Sequence, residues 1–183
     1  MTIALDLHAL NEAPTNAFQT ALGPLFESAP RFLARLAAER PFDDWDRLFE
    51  IGRAIAHVMP EAEQIELVDS HPRLGAAPGT VSAMSFREQG YHEPATRRTG
   101  TTGGAAGDPD RHVAAELTRL NEAYEARFGF RYCVYVAGRS RAALLPEMRA
   151  ALKGGREAEL HRALDAVVDI AQARLATQHG GAT

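Results

Sequence analysis

The spacing of the apolar residues constrains the fold of this chain more than any other feature, because it is helical almost everywhere. The clearest set is Val113, Leu117, Leu120 and Tyr124. This spacing places the four side chains on one face of an α-helix. Similar patterns occur around residues 32–37, 45–52 and 160–171. Asp43 or Asp44 is expected to cap the second of these helices, since both precede its first apolar residue.

A single run has the β-branched and aromatic character of a strand. It consists of Tyr132, Cys133, Val134, Tyr135 and Val136. Because one strand cannot form a sheet, we predict an all-α, single-domain helical bundle with one extended segment near residues 131–137. The backbone N–H and C=O groups of such a segment need partners from side chains, water or a ligand. The segment is therefore a candidate wall of a ligand site.

Length and composition describe an ordinary globular protein. With 183 residues, 45% apolar and 24% charged, the chain can bury one core, which predicts one domain over 1–183. The net charge is −4 and the basic residues are scattered, so nucleic acid is not an expected partner. No stretch approaches the roughly 18 apolar residues of a membrane-spanning helix. The lone Cys133 fits a reducing compartment, and we expect a cytoplasmic protein.

The stretch from residue 92 to residue 110 is rich in glycine, threonine and proline. Such a composition predicts a flexible loop that can act as a lid.

His71 is the first candidate catalytic residue. Pro72 disfavours a helical conformation at His71, so the preceding helix should end there. The dipole at a helix C-terminus favours the protonated imidazole, which predicts a raised pKa and a general acid. A histidine that only ends a helix is the structural alternative.

The sequence from Ser85 to Glu88 matches the S-x-x-E capping box of a helix start. A helix start also offers N–H groups that attract a carboxylate or an oxyanion, and Gln89 adds a donor and an acceptor. Local structure alone also explains the motif.

Arg174 occupies the next position on the apolar stripe of residues 160–171. A buried cation requires a carboxylate, from the protein or from a ligand. The alternative is that the side chain extends to solvent near the helix end.

The other histidines show neither an H-E-x-x-H arrangement nor a Cys/His pairing. We therefore predict no metal site. Cys133 lies in an apolar run, which indicates a packing residue or a backbone contributor.

Taken together, these segments resemble the OHCU decarboxylase family over nearly the whole chain. The shared segments are Leu10-Asn11, residues 25–30 and 40–42, His71-Pro72-Arg73-Leu74-Gly75, Ser85 to Gln89, residues 120–124 and 128–132, and the helix from Glu159 to Leu175. Short motifs in the right order and with compatible spacing are hard to obtain by chance.

The resemblance implies an all-helical homodimer that converts 2-oxo-4-hydroxy-4-carboxy-5-ureidoimidazoline (OHCU) to (S)-allantoin in urate degradation. It implies His71 as the proton donor, with Glu88 as a second catalytic residue. The residues implied to bind substrate are Pro72, Ser85, Phe86, Arg87, Glu88, Gln89, Tyr132, Cys133, Val134, Tyr135, Val136 and Arg174. The substrate carries its own electron sink, a ring C=N bond, so no cofactor is expected.

The chain also departs from the family pattern. Arg73 replaces the usual acidic residue after His-Pro, which is expected to lower the pKa of His71. Arg31 stands where tryptophan is common, and the sequence after Gln89 differs from the usual apolar continuation. Altered substrate preference is conceivable. A non-catalytic sensor of a ureido or purine breakdown product is the alternative function, ahead of a structural protein without a pocket.

Overall fold

The computed structural model describes residues 5–76, 79, 82–89 and 109–180, with Phe86, Arg87, Pro109 and Asp110 described in their backbone only. The helices are α1 Leu7–Glu12, α2 Thr15–Leu22, α3 Pro30–Ala38, α4 Trp45–Val58, α5 Glu61–Asp69, α6 Ala83–Glu88, α7 Pro109–Phe128, α8 Arg141–Ala151 and α9 Arg156–Gly180. A short 3-10 turn spans Gly23–Leu25. None of the described residues forms a strand, which confirms the predicted all-α class.

Local sequence signals fix two helix ends in the first part of the chain. Asp44 caps α4, because its Oδ1 atom accepts a hydrogen bond from the Arg47 N–H at 2.7 Å. This confirms the predicted cap. Helix α5 ends at Asp69, and the His71 N–H donates to the Val68 carbonyl at 3.1 Å. His71 therefore follows a helix C-terminus, as the proline predicts.

The described chain divides into two compact units. In its described part, the first comprises residues 5–71, 133–135 and 155–180, and it contains α1–α5 and α9. Helix α9 packs against α4 and α5. The core is built from large apolar side chains that are 2% exposed or less, including Phe18, Phe26, Phe32, Leu33, Leu36, Leu48, Leu67, Leu164 and Val167. The helical stripes predicted from sequence supply most of this core.

The second unit comprises the described residues of 72–132 together with 136–154, and it contains α6, α7 and α8. Helices α7 and α8 pack against each other. Tyr124 lies at the centre of an aromatic cluster, with its ring centroid 4.6 Å from Phe128, 5.8 Å from Phe130 and 5.1 Å from Tyr132. Edge-to-face contacts of this kind stabilise a core beyond the burial of apolar area.

Residues 131–136 form neither helix nor strand, which agrees with the prediction of a non-helical segment near residues 131–137. In the first unit, the Cys133 carbonyl accepts a hydrogen bond from Arg162 Nη1 at 2.9 Å. In the second unit, the Val136 carbonyl accepts from the Arg139 N–H at 3.0 Å. The side-chain partner predicted for this backbone is thus present at Cys133.

Residues 92–108 of the predicted flexible loop lie outside the described residues. The predicted boundary at residue 110 is wrong by two residues, because Pro109 and Asp110 already belong to α7. Proline at the first helical position is favoured, since the N–H that it lacks has no partner within the helix there. No helix in the described part of the chain is long and apolar enough to cross a membrane.

Candidate active site

Arg174 is buried in the first unit, where α9 carries it. Its side chain is 2% exposed, and its Nη2 atom donates to Glu27 Oε1 at 2.7 Å. The Glu27 side chain is itself only 13% exposed. The predicted burial of a paired cation is confirmed, and the alternative of an extended, solvated side chain is wrong. The carboxylate that compensates the charge comes from the protein.

The turn that carries Glu27 surrounds the guanidinium with further acceptors. Arg174 Nη1 donates to the Pro24 carbonyl at 2.9 Å and to the Leu25 carbonyl at 3.3 Å. Glu27 and Ser28 have φ angles of 48° and 60°, which is the left-handed region that costs a non-glycine residue about 1–2 kcal/mol. The turn therefore holds Glu27 on Arg174 at the expense of backbone strain.

His71 is 4% exposed. Its Nδ1 atom lies 3.3 Å from the Leu67 carbonyl oxygen. Because a carbonyl oxygen only accepts, Nδ1 carries the proton in this hydrogen bond, and Nε2 then carries the lone pair of the neutral ring.

Burial, followed by the positive charge of Arg174, lowers the pKa of His71 from 6.5 to about 4, while Glu27 and the Leu67 carbonyl act in the opposite direction. The predicted raised pKa is therefore wrong, because desolvation outweighs the helix C-terminus. The lowering of the His71 pKa that was expected from Arg73 does occur, but its causes are burial and the charge of Arg174. The Arg73 guanidinium is paired with Glu125, with Nε donating to Oε1 at 2.6 Å. His71 is therefore neutral at about pH 7.

Two buried amide side chains hold the backbone that follows His71, within the second unit. Gln89 Oε1 accepts from the Gly75 N–H at 2.7 Å, and Gln89 Nε2 donates to the Arg73 carbonyl at 3.2 Å. Asn121 Nδ2 donates to the Leu74 carbonyl at 2.9 Å. Gln89 therefore orders the loop after the His-Pro motif through both ends of its amide.

Ser85 is not the cap of its helix, so the predicted capping box is wrong. Helix α6 begins at Ala83, and Ser82 Oγ accepts from the Ser85 N–H at 3.2 Å. Ser85 lies within the helix and is 3% exposed. Two serines three residues apart could each cap this helix, and the earlier one, Ser82, provides the cap.

The comparison with known proteins now decides the family. The family model described as OHCU decarboxylase matches residues 11–176. This chain belongs to the OHCU decarboxylase family. Decarboxylases are carboxy-lyases, so the expected enzyme class is confirmed.

Relatives of the family come from bacteria, archaea and animals. The chain is 31% identical over 167 residues to the uric acid degradation bifunctional protein PucL of Bacillus subtilis (strain 168), covering 91% of this chain and 31% of that protein. It is 28% identical over 172 residues to 2-oxo-4-hydroxy-4-carboxy-5-ureidoimidazoline decarboxylase of Haloferax volcanii, covering 94% and 95% of the two chains. It is 28% identical to the enzyme of the same name from Mus musculus, covering 93% and 91%. The chain thus spans about a third of the bifunctional protein and nearly all of the others.

Two solved structures share the fold. A crystal structure of (S)-allantoin synthase matches with a TM-score of 0.66 at 18% identity, covering 95% of this chain and 54% of that one. A crystal structure of OHCU decarboxylase in the presence of (S)-allantoin matches with a TM-score of 0.62 at 17% identity, covering 92% and 99%. These likenesses support the all-helical family fold.

The residues that the family resemblance assigns to the site are distributed over both units. The first unit contains His71, Cys133, Val134, Tyr135 and Arg174, and the second contains Pro72, Ser85, Glu88, Gln89, Tyr132 and Val136. The side chains of Phe86 and Arg87 lie outside the described residues. Within this set, the positive charge of Arg174 acts on His71 and lowers its pKa. The substrate contacts of the whole set stay a prediction.

The sequence did not single out two residues: Glu27, which binds the predicted Arg174, and Asn121, which binds the loop that Gln89 also holds. Glu27 lies inside a motif shared with the family, but nothing local marks it as the partner of Arg174. Asn121 is 3% exposed, and its polar side chain follows Leu120 on the predicted face of α7. The sequence signal that could have identified Asn121 was an amide residue placed next to the apolar stripe of this helix.

Among the described residues, no group of three or more His, Cys, Asp or Glu side chains is arranged to hold a metal ion.

Proposed function

We propose that this chain decarboxylates OHCU to (S)-allantoin, with His71 as its central catalytic residue. The observation that carries the proposal is a neutral, buried His71 beside a fixed Arg174, in a chain that the OHCU decarboxylase family model matches over 11–176.

The reaction needs little beyond orientation, charge stabilisation and proton transfer. The bond between the ring carbon and the carboxylate breaks, CO2 leaves, and the electron pair enters the adjacent ring C=N bond, whose nitrogen takes a proton. The product of this step is an enol. Loss of the enol O–H proton and protonation of the neighbouring carbon then give allantoin, and delivery of the proton to one face gives a single enantiomer.

The low pKa of His71 supports a role as a proton relay. A histidine that is neutral at about pH 7 can accept the hydroxyl proton through Nε2, because Nδ1 faces the Leu67 carbonyl. The imidazolium formed in this way then returns the proton to carbon. The burial of His71 restricts exchange of that proton with water, which favours delivery from one side.

Arg174 supplies a fixed positive charge near His71. The guanidinium is held by Glu27 and two carbonyls, so it requires little reorganisation when an anionic substrate binds. We propose that this charge attracts the substrate carboxylate or its ureido carbonyl. Glu88, Gln89 and the extended segment 132–136 are proposed to bind the polar edges of the ring.

We further propose one domain over 1–183, which the single family match across 11–176 supports. A homodimer and a cytoplasmic location complete the proposal. Light scattering coupled to size exclusion tests the dimer, since a monomeric mass at micromolar concentration contradicts it.

The experiment that tests the activity generates the unstable substrate from urate with the two preceding pathway enzymes. Circular dichroism then follows optical activity with and without this protein. The proposal predicts faster appearance of (S)-allantoin, while uncatalysed decay gives a racemate. Allantoin binding without any change in rate would instead support the non-catalytic sensor.

A further inference from the structure

The turn at residues 24–28 presents a carboxylate to the buried cation beside His71, and the predicted catalytic set does not use it. We propose that Glu27 is a positioning residue, whose carboxylate fixes the Arg174 guanidinium and balances its positive charge at His71. This inference rests on the proposed function, because the balance matters to catalysis only if His71 exchanges a proton during turnover.

The first support is the geometry of the pair. Glu27 Oε1 lies 2.7 Å from Arg174 Nη2, and Arg174 is 2% exposed. Two backbone carbonyls from the same turn, those of Pro24 and Leu25, bind the other terminal nitrogen. Three acceptors on one turn thus define the orientation of a guanidinium that has little contact with water.

The second support is the strain of the turn. Glu27 and Ser28 both have positive φ angles, 48° and 60°, although neither is glycine. The Ser28 N–H donates to the Gly23 carbonyl at 2.8 Å and closes the turn. Strain of this kind persists where the surrounding structure imposes it, and it concentrates at functional sites. Here the strained residue is the one that contacts Arg174.

The third support is the charge around His71. Among the described residues, the groups that act on its imidazole include Arg174 on α9, Glu27 in the turn and the Leu67 carbonyl on α5. Arg174 disfavours the imidazolium, and Glu27 favours it. Without the Glu27 charge, the electrostatic environment of His71 becomes more positive, and the protonated intermediate of the relay becomes harder to form.

Two substitutions separate charge from packing. Glu27→Gln keeps the shape and an acceptor but removes the charge, whereas Glu27→Asp keeps the charge and shortens the reach. We expect Glu27→Gln to lower kcat by about tenfold or more, because the His71 imidazolium that forms during the relay loses a favourable negative charge. KM should not rise, since Arg174 stays positive. Glu27→Asp should retain more of the wild-type kcat than Glu27→Gln.

A purely structural role predicts the reverse order, because glutamine fills the same volume and aspartate leaves a gap. That order, or a wild-type kcat in Glu27→Gln, would overturn the proposal. Glu63→Gln is the matched control. It makes the same chemical change in an arginine-paired glutamate of the same unit, whose partner Arg35 is 45% exposed, and it should leave kcat unchanged.

Histidine NMR provides a readout that does not depend on activity, with the His71→Gln spectrum assigning the signal. Glu27→Gln should shift the titration of His71 to lower pH, and Glu63→Gln should not. The double variant Glu27→Gln/Arg174→Gln removes both charges of the pair and covers the case in which Glu27→Gln does not fold. It should shift the titration above that of the wild type, since Arg174 outweighs Glu27.

An unchanged His71 titration in the folded variants would overturn the charge balance. Wild-type protein without decarboxylase activity would overturn the proposed function, and the catalytic role of Glu27 with it. The NMR comparison would then still decide whether Glu27 balances Arg174.

Discussion

Arg174 and Glu27 form an ion pair with 2.7 Å between Nη2 and Oε1, although 147 residues separate them in the sequence. The pair joins α9 to the turn before α3 inside the first unit. The arginine side chain is only 2% exposed, so the ion pair behaves as a buried pair of charges. Loss of one partner is then expected to cost far more than loss of a surface pair.

Arg174→Leu is therefore expected to lower the free energy of unfolding by about 3–5 kcal/mol, since it removes the buried cation that binds the Glu27 carboxylate. Urea unfolding followed by circular dichroism measures the loss. Arg35→Leu is the control, because Arg35 binds Glu63 at a comparable 2.7 Å but is 45% exposed, and its loss should be far smaller. Equal losses in the two variants would contradict the importance of burial.

The sequence was sufficient to place Arg174 on the apolar stripe of its helix, but it left a solvent-directed side chain as the alternative to burial. It was not sufficient to predict Glu27 as the partner, since that contact depends on how α9 packs against a distant turn. The position of His71 after α5 was likewise predicted from its proline. Its pKa was not, because desolvation arises from tertiary packing and exceeds the local effect of the helix end.

The Ser85 motif shows a different limit. Ser82 and Ser85 are both suitable helix caps, and the pattern of residues 85–88 favoured the later one. The structure selects the earlier serine and leaves Ser85 buried within α6. Local patterns identify the type of element here but not its first residue.

The lowered pKa of His71 predicts an acid-sensitive fold. Between about pH 4 and pH 6.5, the unfolded chain binds a proton that the folded chain does not. The free energy of unfolding should therefore fall as pH decreases through this window, with a His71 contribution of roughly 3 kcal/mol.

His71→Gln removes that contribution, and His8→Gln is the control, since His8 is 82% exposed. Urea unfolding at several pH values should show a weaker pH dependence for His71→Gln only. The same pH dependence in His71→Gln and the wild type would show that His71 keeps its ordinary pKa.

Replacement of Gly75 by a residue with a side chain is expected to destabilise the protein. Its φ angle is +80°, and an added Cβ would lie 2.9 Å from Leu117 Cδ1. Gly129 has a nearly identical φ of +81° but nothing within 4 Å of the same position. Gly75→Ala should therefore lose about 1–3 kcal/mol more unfolding free energy than Gly129→Ala. Equal losses by urea unfolding would mean that Leu117 moves aside freely.

The central claim is that His71 relays the proton that converts the enol to (S)-allantoin. The most direct test compares the rate of (S)-allantoin formation, followed by circular dichroism, for the wild type, His71→Gln and His8→Gln at about pH 7. The account predicts that His71→Gln is folded but slower by about 100-fold or more, with His8→Gln unchanged. A folded His71→Gln protein that forms (S)-allantoin at a near-normal rate would contradict it.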